Sequence, residues 1–284
     1  MTMAQPQTIL SPEVRVPRAQ APGHDLEAIK RTFAEEGYVI FKNVVSKERL
    51  SQLRDKLQQE FDRAKSSGGL FSGGGLISGH LNCFPGEESR FVYETLEQQG
   101  IIDVVKALFP KATRLPNVGC NFNLPNSVAQ HYHMDRNFLD HFIIANVAVV
   151  DTDLTNGAID LVPGTHKKFY KFWRFAVERP HRASKRMPMN QGDVMVRDSN
   201  VWHRGMPNHT AVARPMLAFT WEDGGTLHSD PFNQEGGKIV FRQNWFRPTR
   251  VGRLRERTFV AAPISYSAYR FVGSLLDGTK GYDH

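Results

Sequence analysis

The first helices are predicted by apolar residues that recur every three or four positions. In residues 25–37 this spacing indicates an amphipathic helix, with Asp25 placed to cap its start and Gly37 just beyond its end. The short apolar run at residues 38–41 predicts a strand. A longer helix is predicted over residues 47–64, because Ser46 can serve as its N-cap and leucines follow on one face.

The pattern changes to short β-rich runs between about residue 117 and residue 223. Four of these runs are NVGCNFNL, HFIIANVAVV, GDVMVRD and MLAFTW, and turn signals such as Asn-Gly and Pro-Gly separate the segments of this region. Such a rhythm is typical of an antiparallel barrel or sandwich. Two further short helices, near 88–98 and 101–109, precede it. The predicted fold class is therefore mainly β with flanking helices.

The domain organisation follows from these changes of pattern. Residues 1–24 are rich in Pro, Gln and Ala without periodicity, which predicts a mobile lead-in. The rest, residues 25–284, is expected to form a single domain. It has a helical part at 25–116, a β core at about 117–223 and a mixed helix and loop part at 224–284, in which residues 257–276 are predicted to be helical.

Composition restricts the class of protein. The chain has 284 residues, 40% of them hydrophobic, so it can bury a sizeable core, and wholesale disorder and fibrous folds are excluded. No apolar run reaches the ~18 to 20 residues that span a bilayer. The N-terminus lacks the apolar core of a secretory signal, and a cytoplasmic location is expected. With only Cys83 and Cys120, a disulfide scaffold and a four-thiolate zinc site are excluded, and both thiols are expected to be buried.

Two loops are candidates for the border of a pocket. Residues 66–82 are glycine-rich but lack the spacing of a phosphate-binding loop, so a flexible flap is predicted. Residues 167–187 mix aromatic and basic side chains between two β-rich runs. Loops at barrel mouths commonly select substrate, although the aromatic side chains of this second segment are equally compatible with a place in the core.

Metal-binding chemistry is indicated by the run QHYHMD at residues 130–135. In an extended segment His131, His133 and Asp135 share one face, so an imidazole nitrogen and a carboxylate oxygen can meet at one point. Iron(II) that also binds a co-substrate and dioxygen uses two histidines and one carboxylate on one face of its coordination sphere. The pair His131 and His133 is an alternative, but it leaves Asp135 without a role.

The third ligand has to come from a distant strand. His203 follows the β-rich run GDVMVRD and is the candidate. Eleven residues later, Arg214 opens another β-rich run, where its planar guanidinium can pair with a carboxylate. His209 is interpreted as a surface residue, and His166, in the segment VPGTHK, as part of a turn.

These segments, in this order, resemble the phytanoyl-CoA dioxygenase family of iron(II)- and 2-oxoglutarate-dependent oxygenases. The resemblance covers roughly residues 26–223. It rests on FAEEGYVIFKNVVSKERLSQL, the Q-x-x-H-x-D run, TNGAIDLVPGTHK, GDVMVRDSNVWHRGMPN and ARPMLAFTW. The most specific of these is the pattern NGA-x-x-x-VPG-[ST]-H-K.

The resemblance implies a double-stranded β-helix, that is, a jelly-roll or cupin-like barrel. It implies iron(II) bound by His133, Asp135 and His203, and 2-oxoglutarate bound by Arg214, with Gln130 nearby. It also implies dioxygen as co-substrate and hydroxylation of an unactivated C–H bond with release of succinate and CO2. Family halogenases replace the triad carboxylate by a small residue, and because Asp135 is retained, chlorination is disfavoured.

The partner class follows from charge. There are 36 Lys and Arg against 29 Asp and Glu, a formal net charge of +7, and the run at 238–257 is strongly basic. Three interpretations of this run stay open: a solvated or oligomer-contact face, recognition of an acidic small molecule, and nucleic-acid binding. The last is disfavoured, since no nucleic-acid-binding signature accompanies it.

The expected substrate is a small or medium organic metabolite, with acidic and sugar-like molecules among the candidates. Desaturation, epimerisation and ring closure use the same ligands. A non-catalytic barrel that binds a metal or an acidic ligand is the alternative from another class. The sequence predicts neither the substrate nor the oligomeric state.

Overall fold

The fold was analysed in a computed structural model that describes residues 24–70, 73–223 and 230–277. The first elements are α1 (Leu26–Glu36), β1 (Tyr38–Phe41) and α2 (Lys47–Ser66), as predicted. The side chain of Asp25 accepts from the backbone N–H of Ala28, and Gly37 ends α1 with a positive φ of 83°. The predicted lead-in falls almost wholly on residues 1–23, outside the described residues.

Two short helices complete the N-terminal part, and both were predicted. They are α3 (Arg90–Gln98) and α4 (Ile101–Leu108). Their apolar faces pack with those of α1 and α2 into one large core cluster. The opposite side of that core is the outward face of the main β-sheet, so the helices support the sheet from behind.

The β core consists of two antiparallel sheets. The larger has the strand order β1-β7-β4-β9-β3-β2-β10, and the smaller has the order β6-β5-β8. The strands not yet given are β2 (His80–Phe84), β3 (Asn117–Asn123), β4 (Ile143–Ala148), β5 (Ile159–Leu161), β6 (Lys185–Met187), β7 (Val194–Asp198), β8 (His203–Arg204), β9 (Arg214–Trp221) and β10 (Val240–Arg242).

The two faces of the large sheet differ in chemistry because successive side chains along a strand alternate. The outward face of β9 buries Leu217, Phe219 and Trp221 against the helices. On the inward face the pairing register aligns His80, Asn123 and Arg214 on three neighbouring strands. A polar surface inside the barrel is thus a direct result of the register.

The C-terminal part closes the fold with two helices where the sequence predicted one helical segment. These are α6 (Arg250–Ala261) and α7 (Pro263–Leu276). Pro263 cannot donate the hydrogen bond of a continuous helix, so the chain breaks at Ala262 and α7 starts anew.

The segment at residues 167–187 forms α5 (Phe172–Glu178) before β6. Its Phe172 and Phe175 are buried, and Phe175 stacks on Trp202 with ring centres 3.9 Å apart. These aromatic residues are therefore core residues that support the segment leading to His203. Cys83 and Cys120 are buried free thiols, as expected. Among the described residues, no helix is both long and apolar enough to cross a bilayer.

Candidate metal centre and co-substrate cavity

Three predicted side chains meet at one point between the sheets. His133 and His203 form an antiparallel bridge through reciprocal backbone hydrogen bonds of 2.9 and 3.0 Å. Asp135 lies beside them, with its Oδ1 3.5 Å from Nε2 of His203. One ligand atom from each residue lies within 4.8 Å of the other two. This spacing can accommodate a single metal ion among the three atoms.

Both imidazole rings are fixed through Nδ1. The Nδ1 of His133 lies 2.8 Å from the carbonyl oxygen of His131, and the Nδ1 of His203 lies 2.9 Å from that of Val201. A carbonyl can only accept, so the proton is on Nδ1 and the Nε2 lone pair is available to a metal. Burial, helped by the neighbouring His203, lowers the pKa of His133 to about 3, which keeps this ring neutral at physiological pH.

Asp135 is held by a buried arginine that the sequence analysis did not identify. Arg197 donates to Oδ2 of Asp135 at 2.6 Å and, through Nε, to Oδ1 of Asn146 at 2.9 Å. Burial alone raises the pKa of Asp135, but the charge of Arg197 and the two histidines outweigh it and hold that pKa well below its usual range. Asp135 is thus an ionised carboxylate with one oxygen directed toward the histidines.

Arg214 lies in the same cavity and is almost completely buried, with 5% of its surface exposed. Its Nη2 donates to the carbonyl oxygen of Gly157 at 3.2 Å, and its buried Nε has no hydrogen-bond partner. No carboxylate within the described ranges forms an ion pair with it. Burial accordingly lowers the pKa of Arg214 to about 10. A buried cation with an unused donor fits an anionic ligand.

Gln130 lies at the edge of this cavity, whose volume is about 250 Å³. Its Oε1 accepts from the backbone N–H of Gly205 at 2.7 Å, which fixes the amide. The cavity wall also includes His80 and Asn82 from the glycine-rich segment and Asn244 and Trp245 from the basic run. Further lining residues, which the sequence did not indicate, are Asn121, Asn123, Asn146, Met216 and Ile159.

The other histidines lie outside the ligand cluster. The His131 ring packs on Trp245, with ring centres 5.1 Å apart, and only its carbonyl serves the site. His209 is exposed, as predicted. His166 lies in a short 3-10 turn and packs near Phe33. Among the histidines of the described residues, His133 and His203 are the two that contribute a nitrogen to the cluster.

The expectation for the pocket borders was correct only for the end of the glycine-rich segment, where His80 and Asn82 line the cavity. Neither residues 167–187 nor the described residues of the loop at 68–79 line the cavity. The first segment turns its aromatic residues into the core, and the second is bound through its backbone to Glu256 of α6. The basic run at 238–257 provides part of the wall instead, through Asn244 and Trp245.

The family follows from comparison with known proteins. Residues 33–216 match the family described as Phytanoyl-CoA dioxygenase (PhyH). This match covers more than half of the chain. The chain belongs to this family. Its two antiparallel sheets accordingly form the double-stranded β-helix predicted from the sequence.

Solved structures of similar fold include enzymes that depend on alpha-ketoglutarate, which is 2-oxoglutarate. The epimerase SnoN, in complex with Fe3+, alpha ketoglutarate and nogalamycin RO, is 17% identical over 70% of this chain and 83% of its own, with a TM-score of 0.54. The carbocyclase SnoK from nogalamycin biosynthesis is 17% identical over 77% and 96%, with a TM-score of 0.56. EvdO2 from Micromonospora carbonacea var. aurantiaca, complexed with 2-oxoglutarate, is 14% identical over 74% and 95%, with a TM-score of 0.51.

Membership of the PhyH family makes the protein an iron- and 2-oxoglutarate-dependent oxygenase that acts on a small molecule. Iron and 2-oxoglutarate are its cofactor and co-substrate. The described residues fit both groups, because two imidazole nitrogens and a carboxylate oxygen converge and a buried arginine lies in the same cavity.

Proposed function

We propose that this PhyH enzyme, a single domain over residues 25–284, hydroxylates an unactivated C–H bond of a small or medium organic molecule and releases succinate and CO2. In this proposal His133, Asp135 and His203 hold iron(II), and Arg214 and Gln130 bind 2-oxoglutarate. The observation that carries it is the convergence of three ligand atoms within 4.8 Å in the cavity that also contains the buried Arg214.

The roles of the ligands follow from their partners. The carbonyl groups of His131 and Val201 hold both imidazoles in the tautomer that presents Nε2. Arg197 occupies Oδ2 of Asp135, so that Oδ1 is the oxygen left for the metal. Such partners of ligand residues typically maintain orientation and basicity.

Arg214 is proposed to receive the distal carboxylate of 2-oxoglutarate. Arg214 lines the cavity beside His80 and Asn123, as the register of β2, β3 and β9 requires, and its buried Nε has no hydrogen-bond partner. A carboxylate bound there would be its counterion, and the planar guanidinium would fix the orientation of that carboxylate. Gln130, held by Gly205, is proposed to border the co-substrate.

Bound iron supplies the activation of dioxygen, coupled to oxidative decarboxylation of 2-oxoglutarate. The chain itself keeps Asp135 ionised and His133 neutral, orients the co-substrate and limits access of water. Trp245 contributes to that exclusion, since its ring centre lies 5.3 Å from that of His133.

Epimerisation or ring closure is the second candidate within this cofactor class. It is favoured by the fold neighbours SnoN, an epimerase, and SnoK, a carbocyclase. Both reactions would use the same ligands, and the pose of the substrate would decide between them.

The test is anaerobic titration of the full chain with iron(II) and 2-oxoglutarate, followed by admission of oxygen. We expect a weak visible charge-transfer band at one iron per chain and then release of succinate. His133→Ala and Asp135→Ala should lose both signals, while their circular dichroism stays close to that of the wild type. Near-normal succinate release by either variant would end the assignment of the ligands.

A further inference from the structure

A second cavity of about 560 Å³ lies between α6 and α7, separate from the candidate metal cavity except for a shared wall. That wall is Trp245, which lines both cavities. Arg247, Arg255 and Arg270 line the second cavity together with the aromatic residues Phe246, Tyr266 and Tyr269. Within the described residues its lining contains no aspartate or glutamate.

The three arginines are held in different ways. Arg270 is buried, donates to the carbonyl oxygen of Tyr132 at 2.9 Å and lies 4.0 Å from the centre of the Phe172 ring. Arg255 contacts the hydroxyl of Tyr269 at 3.3 Å. Among the described residues no carboxylate forms an ion pair with Arg247 or Arg255. Among the described residues, Arg247 and Arg255 therefore give this aromatic lining a positive charge that no carboxylate of the lining balances.

Backbone packing fixes the main chain at Arg247, whose side chain is exposed. The first turn of α6 approaches it so closely that a Cβ on Gly252 would lie 1.8 Å from the Arg247 carbonyl oxygen. Thr249 caps this turn by accepting from the backbone N–H of Gly252 at 3.1 Å. Gly273 on α7 faces open space instead, since a Cβ there would meet nothing within 4 Å.

We propose that this cavity binds an organic anion, a phosphate or carboxylate attached to an apolar body, and that it anchors the charged end of the substrate beside the metal centre. Guanidinium groups recognise such anions, and the aromatic side chains can pack against the apolar body. The proximity to the metal centre is direct, because Arg270 binds the backbone of Tyr132, which precedes His133. The role as a substrate subsite rests on the proposed function, whereas anion binding itself does not.

The test uses metal-free full-length protein and phenyl phosphate as the probe, with binding followed by ligand-observed saturation-transfer NMR. We expect saturable binding that 2-oxoglutarate does not displace. Gly273→Leu should abolish it, because Gly273 lines the cavity and a Cβ there meets nothing within 4 Å, so the larger side chain would occupy cavity space. Arg247→Gln and Arg255→Gln should each raise Kd about tenfold or more, as for loss of a charge-assisted hydrogen bond.

Arg250→Gln is the matched control. Arg250 is an exposed arginine of the same helix that does not line the cavity, so its Kd should stay within about twofold of the wild type. Four results would overturn the proposal: no saturable binding, binding unaffected by Gly273→Leu, an equal loss in Arg250→Gln, or phenol binding as tightly as phenyl phosphate.

The iron and 2-oxoglutarate titration of the same variants separates the two proposals. A normal charge-transfer band with no probe binding would remove the anion site and leave the proposed function intact. Probe binding in a wild type that gives no such band would remove the proposed function and, with it, the role of this cavity as a substrate subsite.

Discussion

Replacement of Arg214 by methionine should stabilise the metal-free protein and weaken its binding of 2-oxoglutarate. Arg214 is a buried cation, and burial lowers its pKa from the ordinary arginine value to about 10. That lowering corresponds to about 3 kcal/mol by which the buried position disfavours the charged form. Arg214→Met removes this penalty, so we expect the metal-free protein to become more stable by up to about 3 kcal/mol.

A carboxylate that pairs with Arg214 recovers the same energy. We therefore expect the Kd of 2-oxoglutarate to rise by two to three orders of magnitude, about 3 kcal/mol, in Arg214→Met. Urea unfolding of the metal-free protein measures the first effect, and anaerobic titration of the iron form followed by visible absorption measures the second. Arg214→Lys keeps the charge but loses the planar arrangement of donors. Its Kd for 2-oxoglutarate should lie between those of the wild type and Arg214→Met.

Arg204→Met is the control for this experiment. Arg204 is paired with the buried Asp160 at 3.0 Å and lies outside the cavity. Its loss should destabilise the fold and leave the affinity for 2-oxoglutarate unchanged. An unchanged Kd in Arg214→Met, or an equal change in Arg204→Met, would refute the assignment of the carboxylate to Arg214.

Three other perturbations test separate parts of the structure. Arg197→Gln should weaken iron binding about 10- to 100-fold in equilibrium dialysis because Asp135 loses its orienting partner; tighter binding would mean that charge repulsion by Arg197 dominates. Burial, with a smaller contribution from Arg214, lowers the pKa of His80 to about 4, so stability present above pH 6.5 should fall by up to about 3 kcal/mol toward pH 4, and urea unfolding of His80→Gln should show a flatter profile. Glu256→Ala should cost about 2 to 5 kcal/mol in urea unfolding, since three donors from Gly75 and Ser78 lose their acceptor; a loss below 1 kcal/mol would contradict that role.

Much of the fold could be predicted because local signals agree with the final packing. Asp25 and Gly37 bracket α1 as capping chemistry requires, and the β-rich runs became β3, β4, β7 and β9. Such signals depend on neighbours in sequence, so they are legible without the tertiary structure.

The meeting of the ligands was predictable from residue type and order. His133 and Asp135 are two apart, and His203 was identified by its place after a strand. The sequence could not show that His133 lies in an isolated bridge to His203 rather than in a regular strand. That pairing depends on contacts between residues 70 positions apart in the chain.

The supporting residues could not be predicted for the same reason. Arg197 was visible only as an arginine at the end of an apolar strand. Its contact with Asn146 depends on the register of β4 and β7, and its contact with Asp135 joins residues 62 positions apart. Trp245 lay in a run interpreted by its charge, and tertiary contacts, among them those of the adjacent Asn244 with Gly74 and His80, bring it beside His133. Likewise, Phe175 stacks on Trp202 in the core instead of bordering the pocket. The sequence of residues 167–187 alone does not distinguish these two positions.

The most direct measurement of the central claim is a crystal structure of the enzyme with iron(II) and 2-oxoglutarate, grown without oxygen and recorded at the iron absorption edge. We expect one anomalous peak in contact with Nε2 of His133, Oδ1 of Asp135 and Nε2 of His203, with the distal carboxylate of 2-oxoglutarate on Arg214. A peak bound by other residues, or a co-substrate carboxylate away from Arg214, would contradict it.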